Sequence, residues 1–315
     1  MAIGSSAPWG SVAVRLENGR WRSVALATPG RRWELGAVSC GSASSCMAVG
    51  LIALPSKGHP DRPLAERWDG RRWTVVPTPA LLGELDSVSC VAADDCVAVG
   101  QRTNGSSGLI ERWNGQGWAV VTPAPTAANR PLAAVSCTAA QACMAVGQLG
   151  TGPDQLPFAE RLDASGWRIE RVDLPRSIGT RSGSLASFEA VSCAGPSFCA
   201  ASGNYVTSGP YPQALAATWS GGAWHVVAVS HRHPALNLVG VACRSASSCQ
   251  AVGFAVHGTL AAGWNGTTWS IEATPSSHST RQFPSEFSAV AAMPAGGYVA
   301  VGYAHTVRAL VMRHP

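Results

Sequence analysis

Val38-Ser39-Cys40, followed five residues later by Cys46-Met47-Ala48-Val49-Gly50, is the feature that most constrains this chain, because close copies of it recur almost to the C-terminus. Five copies carry cysteine pairs: Cys40/Cys46, Cys90/Cys96, Cys137/Cys143, Cys193/Cys199 and Cys243/Cys249. The first cysteines fall 50, 47, 56 and 50 residues apart. A period of about fifty means that one supersecondary unit is stacked many times, as a solenoid, a propeller or an array.

A second piece alternates with the first. It reads Glu66-Arg67-Trp68-Asp69-Gly70-Arg71-Arg72-Trp73, and returns as Glu111-Arg112-Trp113-Asn114-Gly115-Gln116-Gly117-Trp118, as Trp219-Ser220-Gly221-Gly222-Ala223-Trp224 and as Trp264-Asn265-Gly266-Thr267-Thr268-Trp269. Asp-Gly and Asn-Gly between aromatic and apolar residues mark hairpin turns, because both tolerate positive φ. Each unit therefore holds four short strands. Strand a ends in the first cysteine, and b runs from the second cysteine to the glycine. Strand c carries the first tryptophan, and d runs from the second tryptophan to a proline such as Pro79 or Pro275.

Helical periodicity is absent, and 34 glycines and 21 prolines punctuate the chain. Four-stranded units of this length suit the blades of a β-propeller, with an open β-solenoid as the alternative. The predicted fold is all-β, residues 1–315 forming a single propeller domain of about six repeats. Counting a-type strands gives six. The N-terminal strands (Val12 to Leu16, Trp21 to Ala27) and the C-terminal ones (Phe287 to Ala292, Tyr298 to Gly302, Val307 to Met312) are expected to share the last blade and close a six-bladed ring without an open edge. Strand c then appears at both ends, so one copy is surplus, and a seventh partial blade is the alternative.

In the sixth unit, Ala292 and Tyr298 occupy the two cysteine positions. Both cysteines are lost together, as residues that act only as a pair would be. Across an antiparallel hairpin the two Cα atoms lie ~4.5–5.5 Å apart, within reach of a disulfide. The sequence thus predicts five intra-hairpin disulfides; the alternative is five pairs of buried thiols. The spacing fits no common zinc pattern. Disulfides imply an oxidising compartment and a secreted or cell-surface protein, although residues 1–30 show no basic region followed by an apolar stretch. No run of eighteen apolar residues suggests a membrane span.

Charged residues make up only 13% of the chain, which excludes a disordered polyelectrolyte. Net charge is +5 with a single lysine, Lys57, and no clustered basic stripe, so nucleic-acid binding is not expected.

The Trp-Asp-Gly-x-x-Trp hairpin, seen as Asp69-Gly70 before Trp73 and with Asn114, Ser220 and Asn265 at the aspartate position elsewhere, resembles the Asp-box of sialidase-like propellers. The whole pattern is also similar to secreted bacterial repeat proteins with Ser-Cys…Cys-x-Ala-Val-Gly units. The resemblance implies a propeller fold; Asp-boxes are structural, and propellers host many activities. Sialidases of that superfamily take an arginine from an Arg-Ile-Pro motif. The nearest match, Arg168-Ile169-Glu170, differs at the third residue and falls inside strand d, so no catalytic residue carries over.

In such a blade the a–b and c–d hairpins lie at one end, and the b–c and d–a connections at the other. The first end is uniform. The second carries connections of unequal length, where binding usually resides. Six of the eight histidines fall there: His59, His231, His233, His257, His278 and His305. A metal-dependent activity using them is one functional alternative. Ten of the twelve tryptophans belong to the repeated c–d hairpins and are assigned to packing between blades. Trp9 and Trp33 break that pattern and are candidates for stacking on a sugar ring or anchoring a protein. With them, Arg62, Tyr205, Tyr211 and Arg281 complete the expected ligand-binding set, while Arg31, Arg32, Arg176 and Arg181 add positive charge to the same end. A glycosidase needs two facing carboxylates; Asp61 and Asp154 are the available pair, beside Asp173 and Glu286. The Glu-Arg pairs at Glu66, Glu111 and Glu160 recur, which argues for ion pairs between blades. The reading that results is a non-enzymatic, monomeric binding or scaffold propeller without a cofactor, recognising a glycan or a protein. A sialidase-like or other glycan-active hydrolase is the second alternative.

Overall fold

The computed structural model describes residues 1–5, 10–27, 30, 32–53, 61–103, 107–124, 130–150, 155–176, 178, 185–206, 211–229, 236–256, 258–274, 285–304 and 308–314. These form seven antiparallel sheets in chain order, the blades of an all-β propeller. The first is Ala2–Ser5, Ser11–Glu17 and Arg20–Val24. Blade 2 is Trp33–Ser42, Ser45–Ile52, Arg62–Trp68 and Trp73–Val76, and blade 3 is Gly83–Ala92, Asp95–Arg102, Gly108–Trp113 and Trp118–Val120. Blade 4 is Leu132–Ala139, Ala142–Leu149, Leu156–Asp163 and Gly166–Glu170; blade 5 is Leu185–Gly195, Phe198–Val206, Gln213–Ser220 and Ala223–Ala228. Blade 6 is Leu236–Ser245, Ser248–Ala255, Gly258–Trp264 and Trp269–Glu272, and blade 7 is Glu286–Ala292, Tyr298–Ala304 and Arg308–His314. In blades 2 to 6 the strands lie in the order a-b-c-d.

The blade count corrects the expectation of six. Ala2–Ser5 pairs with the first c strand in the register Ala2↔Val14 to Ser5↔Ser11, so the N-terminal strands own a sheet and do not complete the C-terminal one. The apparently surplus strand is the middle strand of blade 1. The C-terminal strands likewise form their own three-stranded sheet, with Arg308–His314 on strand b in the register Tyr298↔His314 to Ala304↔Arg308.

The chain's contacts divide it into two compact units, one of Met1–Ala145 and Leu162–Arg168, the other of Val146–Arg161 and Ile169–Pro315. In the first, Met47, Val49, Ala65, Leu85, Cys96, Ala98, Leu109, Trp113 and Trp118 form a core between blades 2 and 3. In the second, Phe198, Ala200, Ala214, Leu236, Leu238, Ala251, Leu260 and Ala262 do the same between blades 5 and 6, with Cys249 among them. Strand b is a continuous apolar run because neighbours cover both of its faces; from Ser45 to Gly50 every residue of blade 2's strand b is buried.

Two motif residues owe their places to backbone geometry. The glycine ending Ala-Val-Gly lies opposite a bulge in strand a, as between Leu35 and Ala37. A Cβ at Gly50, Gly100, Gly203, Gly253 or Gly302 would run into the carbonyl oxygen of Glu34, Glu84, Ser187, Asn237 or Glu286. Only glycine permits that approach. The serine before the cysteine links one blade to the next: its Oγ accepts the backbone N–H of the following blade's cysteine. The bonds are Cys90 N–H to Ser39, Cys137 N–H to Ser89 and Cys243 N–H to Ser192, each 2.9 Å.

Candidate functional site

In blades 2 to 6 the a–b hairpin is built alike. All five predicted disulfides are present: Cys40–Cys46, Cys90–Cys96, Cys137–Cys143, Cys193–Cys199 and Cys243–Cys249, with Cα–Cα distances of 3.9–4.0 Å. That spacing is shorter than the separation expected for the hairpin. The second cysteine of each pair is buried: Cys46 and Cys96 in the first unit, and likewise Cys143, Cys199 and Cys249, each 4% exposed or less. These second cysteines lie at the start of strand b inside the blade packing, while their partners Cys40, Cys90, Cys137, Cys193 and Cys243 at the end of strand a are partly or fully exposed.

In the c–d turns an Asx side chain holds the backbone: Asp69 Oδ1 accepts the N–H groups of Arg71 and Arg72 at 2.8 Å, and Asn114 and Asn265 do the same in blades 3 and 6. Those two N–H groups draw the Asp69 carboxyl below its ordinary range. The tryptophans flanking the turn are cross-strand partners, with ring centroids 5.9 Å apart for Trp68 and Trp73.

Arg67 and Arg161 of the Glu-Arg pairs, and Arg15 at the matching place in blade 1, meet the next blade through an aromatic ring. Arg15 lies 5.8 Å over the ring of Trp68, Arg67 6.0 Å over Trp113 and Arg161 5.3 Å over Trp219, so an arginine of one blade covers the tryptophan of the next. Ion pairs are also made within a blade, as Arg112 with Asp95 at 2.9 Å and Arg161 with Glu170 at 2.8 Å. The glutamates turn the other way, into the protein. Glu66 and Glu111 are fully buried. Burial pushes both carboxyls up to about 7; the Ala27 N–H, 3.0 Å from Glu66 Oε2, opposes this at Glu66, and the Arg102 charge opposes it at Glu111. Neither oxygen of Glu111 has a hydrogen-bond partner. Perturbed carboxyls often mark catalytic sites, but these two stand in closed interiors, without exposed surface from which to meet a substrate.

The other end of the blades is where the connections differ, from residues 256–257 in blade 6 to residues 171–184 between blades 4 and 5. There, an open cleft of about 190 Å³ is lined by Asp61, Gly83, Glu84, Gln101, Arg102 and Thr103. Its walls are the start of strand a and the end of strand b in blade 3, with Asp61 entering from the b–c connection of blade 2. The Gly83 N–H donates to the Asp61 carbonyl at 2.8 Å and ties the two blades at this point. Gln101 Nε2 donates to Glu84 Oε1.

Of the residues singled out from sequence, Asp61 enters the cleft and Arg62 is exposed beside it. Tyr205 near the end of strand b and Tyr211 just before strand c belong to the same end of blade 5, Tyr205 half-buried and Tyr211 53% exposed. Trp33 is buried, packed with Leu35, Leu64, Trp68 and Trp73 and against Met1 and Ile3 of blade 1, so it is a plug and not a ligand contact. Arg32 and Arg176 are exposed, and the exposed Asp173 pairs with Arg171 at 2.7 Å. Trp9, Arg281, Arg31, Arg181, Asp154 and the six loop histidines lie outside the described residues. Among the described residues no group of three His, Cys, Asp or Glu is placed to hold a metal ion. Glu84, Gln101 and Arg102 stand outside the expected set. Their one signal in the sequence is a comparison of strand-b exits between blades, where only blade 3 ends in a cation.

A seven-bladed propeller with one uniform and one irregular end is the class these features define. No protein-family model matches the chain, and no curated protein does. Solved structures do. YCF48 from Cyanidioschyzon merolae shares 14% identity over 99% of this chain and 94% of that one, with a TM-score of 0.59. YCF48 bound to D1 peptide gives 13% over 94% and 83%, with a TM-score of 0.57. The SapL1 lectin in complex with alpha methyl fucoside gives 13% over 89% and 95%, with a TM-score of 0.53. At these identities the likeness is one of fold.

Proposed function

We propose that this protein is a non-enzymatic binding module that takes its ligand, a glycan or a protein, at the irregular ends of its blades. The observation that carries this reading is the contrast between the ends. Disulfides and Asx turns repeat from blade to blade at one, while unequal connections and the cleft around Arg102 occupy the other. A rigid scaffold presenting irregular loops is how binding sites are commonly built. The five disulfides suit export to an oxidising environment. Among the described residues no helix is long and apolar enough to cross a membrane. The structural neighbours include one with a bound peptide and one with a bound fucoside, consistent with a binding propeller. Incubation with a mixed glycan and peptide panel, followed by mass spectrometry of both retained ligand and released product, tests the reading. Retention without cleavage is expected; a released sugar or cleaved peptide would establish an enzyme instead.

A further inference from the structure

Blade 3 departs from its neighbours at one place. Two residues past the strand-b glycine the chain has Ile52 in blade 2, Leu149 in blade 4, Tyr205 in blade 5 and Ala255 in blade 6, but Arg102 in blade 3. In blades 2, 3 and 6 the first residue of strand a stands opposite this position. Trp33 faces Ile52 and Leu236 faces Ala255, and both are buried. In blade 3 the residue facing Arg102 is Gly83. Its φ of +155° and the closeness of the Gln101 carbonyl oxygen to any Cβ there exclude another residue. The position that Trp33 fills in blade 2 therefore holds no side chain in blade 3, and the cleft opens beside it.

The polar groups at this opening are not matched to one another. Glu84 and Gln101 bond together. Asp61 and Arg102 line the same cleft; among the described residues neither the Asp61 carboxylate nor the Arg102 guanidinium makes a hydrogen bond or close ion pair, although the Arg102 charge acts on the buried Glu111 carboxyl. A carboxylate without a hydrogen bond calls for a donor and a guanidinium without one for an acceptor. A cationic side chain would suit Asp61 and be repelled by Arg102; an acidic one would do the reverse. A hydroxyl both donates and accepts, so neighbouring hydroxyls on one ring serve both groups with no charge to desolvate. The volume, about 190 Å³, holds roughly six waters at ~30 Å³ each, room for one sugar ring.

We propose that this cleft binds a single terminal sugar residue through adjacent hydroxyls, with Asp61 accepting from one and Arg102 donating to its neighbour, while Glu84, Gln101 and Thr103 bound the ring. The inference rests on the binding-module reading and names its ligand class. The test is binding of immobilised oligosaccharides ending in neutral hexoses, deoxyhexoses or N-acetylhexosamines, beside a peptide array. Wild type is compared with Arg102→Leu, Arg102→Lys, Asp61→Asn and an Arg20→Leu control at the exposed hairpin end of blade 1. Thermal unfolding of each variant verifies its fold, and Asp61→Asn keeps the test alive if Arg102→Leu fails to fold. Loss of a charge-assisted contact predicts roughly 10- to 100-fold weaker binding for Arg102→Leu and Asp61→Asn, unchanged binding for Arg20→Leu, and competition by the free monosaccharide. Glycan binding indifferent to Asp61 and Arg102 would overturn this site and leave the binding module standing, as would retention of peptides alone. Retention of neither class would overturn both.

Discussion

At the scale of single residues the repeat is explained by what each position touches. Serine before cysteine answers the next blade's N–H, and glycine at the end of strand b makes room for a carbonyl. Both roles are legible because they recur. The buried glutamates are not. Their Glu-Arg spacing suggests ion pairing, and alternation along strand c does not say which side meets a neighbouring blade. The arginine goes to the next tryptophan and the carboxyl to the interior. A carboxyl whose folded-state value is raised favours folding fully at pH below its unfolded value of 4.5, and that advantage is lost as pH rises through about 7. Over that window Glu111 costs about 3 kcal/mol. Urea unfolding of Glu111→Met, a change that keeps side-chain volume and removes the charge, is expected to show greater stability than wild type at pH 8. At pH 4.5 the difference should shrink to about 1 kcal/mol or less. Equal stability of the two proteins at pH 8 would mean that Glu111 is not held in a desolvated site.

At the scale of strands and hairpins, the four-strand unit is legible because cysteines, Asx-Gly turns and tryptophans mark both hairpins. The strand Ala2–Ser5 gives no such signal, being four residues long without cysteine, tryptophan or turn. Without it, the N-terminal c and d strands are left without a partner of their own and are assigned to the C-terminal blade. Each a–b hairpin of blades 2 to 6 also carries its own staple, across a sequence separation of six residues. A loop that short gives about 2 kcal/mol by restricting the unfolded chain. The Cys90→Ala/Cys96→Ala double variant should therefore unfold at lower denaturant, by a free energy of about 2 kcal/mol, and added reductant should destabilise it less than it destabilises wild type. An unchanged midpoint would show that packing alone holds the hairpin.

At the scale of the whole molecule, strand order and connection length identify from sequence which blade ends are uniform and which are irregular. They do not identify the cleft, which arises from a glycine replacing a plugging side chain opposite one arginine. Seeing it requires the strand register and not the motif alone. Trp33, which breaks the tryptophan pattern, proves to be such a plug. The central claim is that ligand is taken at the irregular ends and that the stapled ends are scaffold. Hydrogen–deuterium exchange of the protein with and without a ligand retained from the mixed panel tests this most directly. The account predicts slower exchange in segments at the irregular ends, among them residues 53–61, 83–84 and 101–107, with residues 40–46, 69–72 and 114–117 unchanged. Protection confined to those hairpin turns would place the ligand on the scaffold end and contradict the account.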